Sequence, residues 1–166
     1  MHPNRPSRSR PLLLTLLGLA AAAAPPVCVV TAHEPAASPA EQQIRYRMAL
    51  YTVMAGNAGP IFAMSDGKLP YDAAAAVKRA ERVSFIAGIL PEAFPVGSNV
   101  GADTEALPDI WKNRADFDRL MKNLGDKAAA LVTAARTNDL KQLQAASGAL
   151  AKTCKACHDK YRKKEH

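Results

Sequence analysis

Residues 140–161, LKQLQAASGALAKTCKACHDKY, decide the fold. Leu140, Leu143, Ser147, Leu150, Cys154, Cys157 and Tyr161 recur at alternating intervals of three and four. That spacing is a heptad stripe, the pattern of a helix that buries one narrow face against other helices. Thr137-Asn138-Asp139 supplies the polar start that such a helix needs. A stripe this regular requires partner helices elsewhere in the chain.

Three amphipathic segments precede it. Ser38-Pro39-Ala40-Glu41 combines a Ser N-cap, Pro at the first helical position and Glu three residues after the cap, which is a capping box. From there Ile44, Arg47/Met48, Tyr51, Met54/Ala55, Ala58 and Ile61/Phe62 recur at helical spacing, and Pro60 predicts a kink near the end. Asp66-Gly67-Lys68-Leu69-Pro70 is a turn. A second helix starts near Tyr71-Asp72, carries Val77, Ala80, Val83, Ala87 and Leu90 on one face, and stops at Pro91. Residues 91–108, with Pro91, Pro95, Gly97, Gly101 and Pro108, read as the longest loop. A third helix starts around Asn113, with Asp109-Ile110-Trp111 adding a turn before it. Its apolar face is Phe117, Leu120/Met121, Leu124, Ala128, Leu131 and Ala135. With no βαβ alternation and no repeat, the pattern predicts an all-α, antiparallel four-helix bundle.

Composition agrees. A length of 166 residues suits one domain, and aromatic residues at 5% disfavour a β-sandwich or barrel. Arg5, Arg8 and Arg10 open the chain, and an uncharged run follows from Leu12 to Ala24. Pro25-Pro26 breaks that run before the small residues of Val30-Thr31-Ala32. This order is that of a secretory signal peptide over residues 1–32, leaving 33–166 as the bundle domain in an exported compartment, the periplasm. An uncleaved anchor is the competing reading, since Leu12–Ala32 lacks charge over a length that just spans a bilayer. Cys28 lacks the approach sequence of a lipoprotein signal. Removing the leader takes three arginines and no acid, so the formal charge falls from +7 to +4. The remaining cations gather at Lys152, Lys155, Lys160, Arg162, Lys163 and Lys164. An exported chain without interleaved aromatics is a poor nucleic-acid binder. The cluster is either a solvated helix end or a patch for an acidic partner.

Cys154-Lys155-Ala156-Cys157-His158 carries the chemistry. Two thiols one turn apart and an adjacent imidazole are the attachment signature of c-type haem, with Cys154 and Cys157 as thioethers and His158 as axial iron ligand. A zinc site wants about four ligands, and the mature chain adds only His33 and His166. A redox dithiol belongs beside a βαβ unit, and a plain disulfide leaves His158 unexplained. Because both cysteines lie on the buried stripe, the haem is placed inside the bundle. Ser147, Ala151, Ala55 and Ala58 would leave it volume.

With its C-terminal haem motif followed by Asp159-Lys160-Tyr161-Arg162, the chain resembles the class II cytochromes c, above all the cytochrome c′ family. Ile44-Arg45-Tyr46-Arg47, Gly67-Lys68-Leu69-Pro70-Tyr71-Asp72-Ala73 and Pro108-Asp109-Ile110-Trp111 fall in that family's order. The resemblance implies one covalent haem c, five-coordinate high-spin iron, binding of NO and CO, single-electron transfer and a homodimer. It places Tyr51 in the distal pocket, one turn after Arg47, where low-spin relatives of the cytochrome c-556 type carry a ligating Met. Met54 and Met48 are the rival ligands, and the alternative is a low-spin electron carrier. The resemblance further implies that Arg47 pairs with a haem propionate, against the alternative that it snorkels to water. It implies that Met48, Thr104 and Glu105 meet the haem edge, and that Arg162 lies in the proximal pocket. An enzyme of the peroxidase kind would need a positioned acid or base at the open iron face, and none of the mature histidines suits that place.

Overall fold

The computed structural model describes residues 36–100 and 103–164. The leader expected over residues 1–32, and the histidines at 33 and 166, lie outside the described residues. Four long helices, α1 (Pro39–Ser65), α2 (Ala73–Ile89), α4 (Arg114–Arg136) and α5 (Leu140–Tyr161), form an antiparallel bundle. A four-residue turn of helix, α3 (Asp109–Lys112), leads into α4, and a 3-10 turn (Leu90–Ala93) follows α2. In the bundle α1 packs on α2 and α5, and α4 packs on the same two. Among the described residues no helix is long and apolar enough to cross a membrane.

Local chemistry sets the helix starts. The Ser38 hydroxyl accepts from the Glu41 amide at 3.2 Å, and the Glu41 carboxylate accepts from the Ser38 amide at 2.7 Å. Asp72 caps α2 through the Ala75 amide at 3.0 Å, and Asp139 caps α5 through the Lys141 amide at 2.8 Å. Each bond satisfies an amide that the helix's own ladder leaves without a partner. Gly67, at φ 72°, takes the left-handed turn between α1 and α2.

The buried face of α4 is the predicted one, from Phe117 to Ala135. On α5, Leu143, Ser147, Leu150 and Tyr161 are buried, while Cys154 and Cys157 are half-buried against the same core. Alanines at 76, 80 and 87 on α2 and at 128 and 135 on α4 are buried, so these two helices approach closely. Each buried leucine or isoleucine in this core contributes roughly 1.5–3 kcal/mol by leaving water.

Pro60 lies inside α1, which runs on to Ser65. A proline inside a helix removes the amide that would bond the carbonyl four residues earlier. Here that carbonyl, Gly56 O, accepts from Arg79 Nη1 of α2 at 3.1 Å. A neighbouring helix thus replaces the missing donor.

Candidate functional site

At the end of the bundle where α5 finishes lies a cavity of about 490 Å³. Helix α1 lines it with Arg47, Met48, Tyr51, Thr52 and Ala55, and α5 with Cys157, His158 and Tyr161. Phe94, Ile110 and Phe117 supply much of its apolar wall, and residues 103–106 and Arg162 contribute to the rest. Cys154 sits one turn before Cys157, half-buried and packed on the core. The two thiols are free of any disulfide. Of the sequence-predicted residues, the fold therefore brings Arg47, Met48, Tyr51, Thr104, Glu105, Cys157, His158 and Arg162 to one cavity.

It does not bring all the residues expected to leave room there. Ser147 donates to Ser65 Oγ at 2.8 Å, at the far end of α1 from Arg47, and Ala151 is exposed. Only Ala55 of that set lines the cavity. Met54 is buried in the core and is not part of the lining, whereas Met48 lines the rim and is 56% exposed.

The segment read as a loop is tied down at both ends of the site. Leu107 donates to Tyr161 O at 2.9 Å and Lys163 donates to Glu105 O at 2.8 Å, with Ala106 and Arg162 paired as an isolated antiparallel bridge. This strap sets Thr104 and Glu105 beside the haem motif, and the Glu105 carboxylate accepts from Arg162 Nε. Phe94 stands at its other end. Its ring meets Phe117 edge-on at 4.8 Å and Tyr51 at 6.4 Å, and Phe117 meets Tyr161 at 5.6 Å. Trp111 donates its indole N–H to Pro95 O at 2.9 Å.

Arg47 is 2% exposed, so it does not snorkel to water. Its Nη1 donates to Ala93 O at 3.1 Å and Ser98 Oγ at 3.2 Å; its Nη2 donates to Ser98 O and to Thr104 Oγ1, each at 3.0 Å. The guanidinium lies over the Phe94 ring at 4.7 Å. Every one of these partners is neutral, leaving a buried positive charge beside the cavity. Burial lowers its pKa.

Burial governs the other titrations as well. It raises both thiols, with Cys157 pushed up to about 11, and raises the Tyr51 phenol well above its ordinary value. Burial, followed by the charge of Arg162, lowers His158 and favours its neutral imidazole, the form that binds a metal. Tyr161 is pushed up to about 12, by desolvation and by its 2.7 Å bond to Asp116. Hydrogen bonds from Arg119, Tyr161 and Lys160 in turn hold Asp116 far below the usual carboxylate range.

The C-terminal cations are largely compensated from within. Lys155 pairs with Asp159, Lys160 with Asp116, Lys163 with Asp103 and Arg162 with Glu105.

Phe94, Phe117, Ile110 and Tyr161 are site residues that the sequence alone does not single out. Phe117 and Tyr161 read as ordinary stripe positions and Phe94 falls among loop residues, so no local signal separates them from packing. The residues present fit a covalent haem: an apolar cavity, a neutral imidazole at its wall, two protonated thiols one turn apart and a cationic rim.

A helical bundle whose last helix sets Cys-x-x-Cys-His against such a cavity defines a c-type haem protein. Residues 42–162 match the family model described as Cytochrome C′, and the chain belongs to the cytochrome c′ family. Its cofactor is one covalently bound c-type haem. Cytochrome c-554 of Cereibacter sphaeroides is 41% identical over 128 residues, covering 75% of this chain and 83% of that protein. The solved structure of cytochrome c prime from Shewanella frigidimarina is 42% identical, covers 75% of this chain and 97% of its own, and superposes with a TM-score of 0.72. A ferrous variant of the Alcaligenes xylosoxidans protein with bound NO is 33% identical, covers 76% and 97%, and superposes at 0.70.

Proposed function

We propose that this chain, once residues 1–32 are removed, is a periplasmic haem protein that binds NO and CO at five-coordinate iron and passes single electrons. The observation that carries the proposal is Tyr51. It faces the cavity from α1 while His158 lines the cavity from α5, and its hydroxyl makes no hydrogen bond among the described residues. A phenol whose ionisation is suppressed by burial is a poor anionic ligand, so it occupies space without competing for the metal. The haem iron, when present, supplies the electron and the site for a diatomic.

The chain's own residues do the rest. Cys154 and Cys157 hold the thioethers, and His158 presents a neutral imidazole. Phe94, Phe117 and Ile110 exclude water. The Arg47 charge, whose hydrogen-bond partners are all neutral, leaves its Nε–H for a propionate, while Met48, Thr104 and Glu105 border the haem edge. Arg162, fastened to Glu105, narrows the approach on the His158 side. Among the described residues the cavity lining from α1 is Arg47, Met48, Tyr51, Thr52 and Ala55, a wall that suits a small diatomic.

One rival has a specific support. Met48 lines the rim, so a low-spin carrier ligated by His158 and Met48 is the second reading; Met54, outside the lining, fits that role less well. Optical and EPR spectra of the ferric protein, and of the reduced protein with NO, decide between them. High-spin ferric iron that responds to NO supports the proposal. A low-spin spectrum unmoved by NO refutes it.

A homodimer belongs to the same proposal. Tyr46, Leu50, Val53, Phe85, Ile86 and Ile89 form an apolar groove of about 600 Å³ between α1 and α2, and Phe85 is 69% exposed. An exposed apolar patch of this kind suits a second copy of the chain.

A further inference from the structure

We infer that Arg47 is a positioning residue for the distal wall, acting through Phe94, Ser98 and Thr104 rather than by touching the bound gas. The inference rests on the gas-binding reading above and adds a residue that controls it. A guanidinium has four Nη hydrogens, and here all four are spent, on Ala93 O, Ser98 Oγ, Ser98 O and Thr104 Oγ1. Only Nε–H remains for any other acceptor. Arg47 is therefore a latch first: one buried side chain joins three points of a segment that lies 46 to 57 residues away along the chain.

The same guanidinium rests on the face of Phe94, and the Phe94 ring packs edge-on against Tyr51. A cation over an aromatic face within about 6 Å is attractive. Fork, ring and phenol make a continuous line from the strap to the distal residue. Ser98 passes the order onward by donating to Pro95 O at 2.8 Å, and Thr104 Oγ1 also accepts from the Ala106 amide at 3.2 Å. Lysine cannot replace this arrangement, because an ammonium is a point charge with three donors and no plane.

The test uses the full haem-loaded protein and the variants Arg47→Lys, Arg47→Met and Thr104→Val. Two quantities are read: hydrogen exchange at the amides of Ser98, Ala106 and Leu107, and the association rate of CO with the reduced protein well below the unfolding temperature. Arg47→Lys keeps the charge and loses the fork. Exchange at the three amides should speed up by at least about tenfold, the effect of losing a charge-assisted hydrogen bond, with buried α4 amides unchanged. CO association should accelerate by about tenfold as Phe94 and Tyr51 gain freedom. Thr104→Val, a milder change that leaves the core intact, should move both in the same direction by about threefold.

Wild-type exchange in all three variants overturns the latch. A lowered melting temperature with an unchanged CO rate makes Arg47 merely structural and overturns its positioning role. Absence of a CO response in the unmutated protein would sink the gas-binding reading instead, while exchange still reports on the latch.

Discussion

The repair of Pro60 by Arg79 yields a double-mutant cycle with a worked magnitude. A proline inside a helix costs about 3 kcal/mol relative to alanine, part of it the stranded carbonyl. Arg79 Nη1 donates to that carbonyl at 3.1 Å. A bond from a charged donor is worth about 1.5–3 kcal/mol net, and solvent exposure reduces this one to about 1 kcal/mol. Arg79→Met keeps the aliphatic stem and removes the donor. In the natural chain it should destabilise by about 1 kcal/mol, a shift of about 0.5 M in the urea midpoint at an ordinary slope of ~2 kcal/mol/M. In a Pro60→Ala background the amide restored at that position bonds Gly56 O instead, and the same Arg79→Met change should cost almost nothing. Far-UV circular dichroism in urea, on all four proteins, measures the coupling. A coupling below about 0.3 kcal/mol, the ordinary error of additivity, would show that Arg79 does not serve the proline at all.

Other expectations follow from the site and its supports. Phe117→Ala opens the centre of the ring cluster and should cost about 3–5 kcal/mol in urea unfolding, with Phe117→Leu costing far less. Because Asp116 is held below its unfolded value, its contribution is fully present above about pH 4 and is lost as pH falls through the lower folded pKa; the acid limb of stability should flatten in Asp116→Asn, and an unchanged limb would refute the assignment. Phe85→Glu should raise the dimer dissociation constant by at least about tenfold in sedimentation equilibrium, and an unchanged constant would place the interface elsewhere. Cys154→Ala with Cys157→Ala should leave no haem bound after acid–acetone extraction, whereas retained covalent haem would refute the thioether assignment.

Most of the helical frame was legible from residues alone. Ser38, Asp72 and Asp139 are caps in the structure because a cap is a bond across two or three residues, and such bonds depend on neighbours in sequence. The buried faces of α4 and α5 were legible for the same reason, since a 3.6-residue period needs no knowledge of the partner helix. The haem motif is likewise a single turn of one helix.

Other features could not be read that way. Pro60 alone predicts a disturbance, and only α2 lying alongside supplies Arg79. Arg47 reads from sequence as a propionate partner or a snorkelling side chain, and only the fold brings Ala93, Ser98 and Thr104 to its guanidinium. Residues 91–108 look like a loose connection, yet Ala106 pairs with Arg162 and Phe94 becomes a pocket wall.

The sequence by itself determined where the helices begin, which faces they bury and that one of them carries a c-type haem motif, because each of these is a local bond or a short period. Only the tertiary structure decided what encloses the cavity beside that motif. Its walls come from α1, from α5 and from Phe94, Ile110 and Phe117 between them in the chain, and a contact between distant segments depends on how the whole bundle packs.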